Sequence, residues 1–411
     1  MKKLLGILVL GLLFSIVTSQ AISAGCKIPK KPKEKIIEAP EAVLKKQKTP
    51  TTRLEKVLAN KKTINVFRAW NDDYGTKKYA LYWTGTPRLP GPSNLGLMEL
   101  YWNYHYPNKS SGHYPGLKTF ITKKKWGARG HSIGGEYGKT VWVNYFHPEF
   151  ADYFSDLVLK RAHRFDGIML DWWHNEHPGA SKIKTKKARR KIAEAIRNKM
   201  GEEFIILGNT NWHKDGDTHD LINGVFMELF KSKKTSGAYS CGQIAKIEKL
   251  IKFHDQNLSE PRIIGVNVWR ITKQVPKELQ KKLTLELMGD ERDMSKNFWK
   301  LRYRSSPENI QFAKLFTAMA MVIPENGYIL YGDNNPDRSD VDDHAHTYYD
   351  FYNTDLGKAI SDEVKITEGL AYKKYEKGLI AYNRTKFKYT VKFEDGKKVE
   401  IGPLEGVFVK D

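Results

Sequence analysis

The chain has 411 residues, 40% of them hydrophobic and 12% aromatic, and its Lys and Arg outnumber Asp and Glu by 22. That length can bury a substantial core, and that apolar content excludes a disordered chain. The positive balance speaks to solubility and encounter rather than to fold; lysines on solvated faces such as 186–199 account for it, and no arginine-aromatic module points to nucleic acid.

At the N-terminus, Lys2 and Lys3 precede an apolar run from Leu4 to Val17 and then small residues. This is the pattern of a secretory signal peptide over residues 1–25, too short for a stable membrane span. Cys26 follows Ser23-Ala24-Gly25, which resembles a bacterial lipoprotein cleavage box with Ser23 in place of the usual Leu. Lipidation of Cys26 would hang an exported protein from a membrane, on the periplasmic or outer-membrane side; cleavage after Ala21 or Ala24 would leave it soluble. Cys241 is the only other cysteine. A Cys26–Cys241 bridge would tie a tail to the core and is not favoured, and no disulfide framework is expected. Residues 26–58, rich in Lys, Pro and Glu, read as a flexible tether.

Beyond the tether, β-branched and aromatic runs mark eight strand candidates at 64–70, 79–85, 140–146, 166–173, 204–210, 224–230, 262–269 and 328–333. Helical periodicity marks 148–164, 187–200, 242–256 and 307–322. Continuous apolar strands separated by helices predict a parallel sheet covered on both faces. Eight of them over this length predict a (β/α)8 TIM barrel across residues 59–365. An open doubly wound sheet is the rival, but no Gly-rich phosphate loop follows any strand. Residues 366–411 alternate as strands, with a hairpin signal at Asp395-Gly396, and predict a small all-β domain.

In such a barrel the reactive groups stand at the C-terminal ends of the strands. The fourth candidate strand ends in Asp171, Trp172, Trp173 and His174; the fifth in Asn209, Asn211 and Trp212; the sixth carries Glu228 within an apolar run. The seventh ends in Trp269 and the eighth in Asp333, while Asp72 and Asp73 follow the first. Paired carboxylates are what glycosidic cleavage needs, one to protonate the leaving oxygen and one to attack carbon or activate water, at a separation of roughly 5 to 9.5 Å. Burying an unpaired carboxylate such as Glu228 is costly unless it has a polar purpose, and burial would raise its pKa toward that of an acid catalyst. The tryptophans offer flat faces for sugar rings, and His174, Asn209 and Asn211 offer bonds to hydroxyls. Against this stand plainer roles: a strand-end cap for Asp171, an ion pair for Glu228, turn formation for the asparagines, core packing for the tryptophans.

His174 and His177 beside Asp171 lack the spacing of a metal site, and no metal or other cofactor is expected. Residues 333–346 alternate oxygen ligands like a calcium loop but carry Arg338 where Gly is needed and His344 where Glu is needed.

The ordered segments FDGIMLDWW, IILGNTNW, NGVFMELF and GYILYGD resemble the family labelled hypothetical glycosyl hydrolase family 15, and more distantly are similar to endo-α-1,4-polygalactosaminidase-like barrels. The likeness spans about residues 60 to 410. It implies a TIM barrel with Asp171 and Glu228 as the acidic pair. Similarity to α-galactosidase-type barrels implies Asp171 as nucleophile and Glu228 as acid/base. The expectation is an exported, monomeric, cofactor-free glycosidase acting on a poly- or oligosaccharide. A non-catalytic carbohydrate-binding lipoprotein on the same scaffold is the alternative.

Overall fold

The computed structural model describes residues 30–31, 33–46, 49–69, 79–85, 89–105, 141–177, 180–230, 238–271, 306–333, 345–346 and 348–411. Strand β1 (Glu34–Glu38) joins a C-terminal sheet, and a helix follows at Arg53–Ala59. Strands β2 (Phe67–Ala69), β3 (Leu81–Thr84) and β4 (Leu95–Leu100) then run side by side. A short antiparallel pair, β5 (Tyr104–His105) and β6 (Val141–Trp142), stands apart from them. Strands β7 (Gly167–Leu170), β8 (Ile205–Asn209), β9 (Gly224–Leu229), β10 (Ile263–Trp269) and β11 (Asn326–Asp333) continue the parallel sheet. β12 (Ala345–His346) pairs antiparallel to the end of β11.

The eight parallel strands close on themselves. Val66 bridges to Ile329, and the Ile329 N–H donates to the Asn65 carbonyl at 2.9 Å, joining β2 to β11. The fold is therefore the expected TIM barrel followed by antiparallel sheets. One strand differs from the sequence reading: the third position belongs to β4, not to 140–146, whose Val141–Trp142 pairs with β5 outside the barrel. Leu95–Leu100 escapes sequence patterning because Gly96 and Glu99 interrupt its apolar run, yet it is buried along its whole length, as a strand covered on both faces must be.

Alternation along the strands divides the core in two. Phe67, Trp83, Leu97, Met169, Leu207, Phe226 and Leu330 fill the barrel, with Leu54 and Val57 of the helix Arg53–Ala59 packed against the same cluster. The opposite faces of the strands, with Ile168, Ile206, Val225 and Val266, pack against the helices Phe150–Ala162, Lys182–Met200, Cys241–Asn257 and Pro307–Val322. β8 and β9 are joined by a loop without a helix.

The C-terminal region holds β13 (Val364–Thr367), β14 (Leu370–Tyr375), β15 (Gly378–Asn383), β16 (Lys388–Lys392), β17 (Lys398–Ile401) and β18 (Glu405–Lys410). The hairpin expected at Asp395-Gly396 joins β16 to β17, with Gly396 at φ 80°, a conformation that favours glycine. The tether reading of 26–58 is corrected here. β1 pairs parallel with β16, Leu44 bridges to Ser361, and Thr52 and Glu55 form a capping box that starts the helix Arg53–Ala59. The charged Glu34, Lys35 and Glu38 around Ile36-Ile37 mask a strand that needs only one sheltered edge.

Residues 1–25 and Cys26 lie outside the described residues. Cys241 opens the helix Cys241–Asn257 and is disulfide-bonded.

Candidate active site

The inward alternation that fills the barrel with apolar side chains ends, one step higher, in polar ones. Above Leu97 stands Glu99, above Met169 stands Asp171, above Leu207 stands Asn209, and above Phe226 stands Glu228. Asn267 lies in register with Glu228 on the neighbouring strand. Five polar groups from five strands thus form a layer at the C-terminal mouth.

Asn209 ties the layer together. Its Nδ2 donates to Asp171 Oδ1 at 2.7 Å and to Glu228 Oε2 at 3.0 Å. Its Oδ1 accepts the Asn211 N–H at 3.1 Å, which holds the amide with its NH2 toward the acids. Two oxygens bonded to one nitrogen at such distances lie within about 6 Å of each other.

Asp171 is 4% exposed. Its carboxylate also accepts from the Tyr101 hydroxyl and the Trp172 N–H. Burial, reinforced by the negative charge of Glu99, raises its pKa to about 7 against those donors. Glu228 is more open than Asp171. Glu99 is fully buried and is missed from sequence, because it sits in the strand that is itself missed.

The backbone turns sharply just past both inner ends. Trp172 has φ 54° and Asn211 φ 51°, left-handed conformations that bulky residues seldom adopt and that cluster at functional sites. The turn at Trp172 reverses the strand's parity: Asp171 points into the barrel and Trp173 points out. Trp173 is fully buried, donates from Nε1 to Thr218 Oγ1 at 3.0 Å, and carries the Arg189 guanidinium 4.9 Å over its ring. It is core and not a wall of the mouth, which corrects its assignment to substrate binding.

The other assigned residues divide similarly. Trp172 is half-buried, with its ring 5.6 Å from that of His174. His174 is buried and stacks on His213 at 4.3 Å and on His177 at 5.2 Å. Burial lowers its pKa to about 2 and that of His177 to about 3, so both rings are neutral. These rings stack rather than converge, and among the described residues no group of three His, Cys, Asp or Glu is placed to hold a metal. Trp212 leans away from the barrel axis, donating to the Phe230 carbonyl at 2.9 Å under the Lys246 ammonium. Trp269 continues the inward parity two residues beyond Asn267, half-buried, with its ring 6.2 Å from Phe230. Phe230, two residues beyond Glu228 and 46% exposed, is an aromatic absent from the sequence-derived set. The same period of two that marks Glu228 would find it. The side chain of Asp333, residues 72–73 and nearly all of 333–346 lie outside the described residues.

No family model matches the chain, and no curated protein does. Among solved structures, Eubacterium rectale Amy13B matches with a TM-score of 0.44 and 10% identity, covering 87% of this chain and 98% of that one. A variant of the glycoside hydrolase domain of PelA from Pseudomonas aeruginosa matches with 0.33 and 8%, covering 54% and 89%. An alpha-amylase from Lactobacillus plantarum matches with 0.33 and 10%, covering 56% and 69%. Likeness at this level assigns no residue a role, and the barrel stands on its own strand register.

Proposed function

We propose that the protein is a glycoside hydrolase that cleaves O-glycosidic bonds of a poly- or oligosaccharide with Asp171 and Glu228. The observation that carries this reading is the single Asn209 amide nitrogen bonded to both carboxylates inside the barrel mouth. A separation within about 6 Å favours the retaining arrangement, near 5 Å, over the inverting one, which leaves room for a water. Asp171, fixed by three donors, attacks the anomeric carbon while Glu228 gives its proton to the departing oxygen. A glycosyl ester on Asp171 results. Glu228, now ionised, takes a proton from water, whose oxygen attacks the same carbon and releases Asp171. Asn209 steadies both acids, and Trp172, Phe230 and Trp269 offer apolar faces to the sugar rings.

The order of the quoted segments supports kinship with hypothetical glycosyl hydrolase family 15. Export through residues 1–25 completes the proposal, since the disulfide at Cys241 needs an oxidising compartment. Intact mass under non-reducing conditions separates a bridged Cys26 from a lipidated one. The functional test is a panel of poly- and oligosaccharides scored for released reducing ends, with proton NMR of the first product. Release with retention of anomeric configuration is expected. Glycan binding without release would instead identify a carbohydrate-binding protein that has lost turnover.

A further inference from the structure

At the end of the barrel away from the acids, a cavity of about 310 Å³ opens between the helix Arg53–Ala59, the N-terminal ends of the strands and the C-terminal β domain. Its wall is rich in lysine: Lys61 and Lys373 lie within it, and Lys46, Lys62 and Lys358 stand exposed at its rim. The glutamates of the same wall are engaged elsewhere. Glu55 accepts from the Thr52 N–H at 3.1 Å in its capping box and from the Thr51 N–H at 2.7 Å, and Glu260 and Glu325 both pair with Arg262, at 2.9 and 2.7 Å.

The two inner ammonium groups meet only neutral oxygens. Lys373, 3% exposed, donates to the Pro324 carbonyl at 2.7 Å. Lys61 donates to Asn326 Oδ1 at 2.6 Å and to the Glu325 carbonyl at 3.2 Å. Among the described residues neither makes an ion pair. Two sheltered like charges without a direct ion-pair partner are costly. Burial first, and then each lysine's cationic neighbours, hold Lys61 down to about 7 and Lys373 to about 8, with Glu325 and Asp255 at Lys61, and Asp255, Asp362 and Glu363 at Lys373, offsetting this only in part. Asn65 lies in the same wall, 3% exposed; its Nδ2 is bonded to the Gly327 carbonyl, while its buried Oδ1 has no partner.

We propose that this cavity binds a small hydroxylated oxyanion, hydrogen phosphate or a hydroxycarboxylate, with the anionic oxygens between Lys61 and Lys373 and an O–H donating to Asn65 Oδ1. The anion supplies the direct ion-pair partner that neither lysine has among the described residues, and its hydroxyl satisfies the orphaned acceptor. The site is independent of the hydrolase reading, being at the other end of the barrel.

The test is calorimetric titration of the full chain with inorganic phosphate and with glucuronate, against chloride and glucose at matched ionic strength. Saturable binding of phosphate, of glucuronate or of both supports the site and names its source; binding of neither overturns it. Lys61→Gln should weaken the bound anion about tenfold, whereas Lys62→Gln, at the rim, should change affinity less than threefold. Equal affinity in wild type and Lys61→Gln overturns the proposal. NMR titration of the Lys61 side chain in wild type needs no variant: its pKa should rise when the anion is added, and an unmoved pKa under saturating anion contradicts the assignment.

Discussion

Asp171 is under two opposing electrostatic demands. Burial and the Glu99 charge favour its neutral form, while Asn209, Tyr101 and the Trp172 N–H favour the carboxylate. Their balance near 7 puts its titration in the working range of an enzyme. In its proposed role as nucleophile it must be ionised, so one limb of the pH–rate profile should lie near 7, and Glu99→Gln should move that limb to lower pH; a limb unmoved by Glu99→Gln would separate the two residues. The stability consequence follows from the same shift. A carboxylate raised in the folded state favours folding fully below its unfolded pKa and loses that contribution as pH climbs through the folded value. Asp171→Asn should therefore melt above wild type at about pH 8, by up to a few kcal/mol in stability, and close to it at about pH 4; a difference independent of pH would refute the shift. The positions of Asp171 and Glu228 at the barrel mouth were legible in sequence, because each charge interrupts or ends an apolar run. Asn209 was legible as a residue but not as a bridge, since nothing in a linear chain says that two acids will share one amide.

Among the elements, the β7–β8 seam shows how tightly the mouth is supported. A Cβ on Gly208 would collide with the Trp173 indole, the ring that the left-handed turn at Trp172 directs outward. Gly208→Ala should cost about 1–3 kcal/mol by overpacking and lower turnover, because the next residue is Asn209. A thermal melt and a rate measured together check this, and an unchanged melting temperature would show that Trp173 has room to move. Sequence periodicity finds the four helices packed on the barrel and seven of the eight barrel strands. It fails at β4, where an inward Glu99 looks like a break in hydrophobicity, and at Trp173, where one positive φ inverts the face. Both failures lie at the site, where local rules yield to the geometry of the mouth.

The whole molecule does not divide cleanly into a barrel and an appendage. From Phe312 to Val322 every residue but Lys314 is buried, because this helix is packed between β11 on one side and β15 and β18 on the other. Glu248 of the helix Cys241–Asn257 accepts from the Tyr382 hydroxyl at 2.7 Å and pairs with Arg384, and Lys252 pairs with Glu363 at 2.9 Å. Removing residues 364–411 should expose that helix and yield insoluble protein, while the full chain melts in one transition; a soluble, folded truncation would show the domains to be separable. A composition-based reading could not see this, since the segment taken for a tether supplies both a strand of the β domain and a helix against the barrel interior.

The most direct test of the acid pair is the rate of reducing-end release, on whichever glycan the wild type cleaves, by Asp171→Asn and Glu228→Gln. Each should lose about 10³-fold or more while still binding that glycan. Turnover within a few-fold of wild type in either variant would contradict the account.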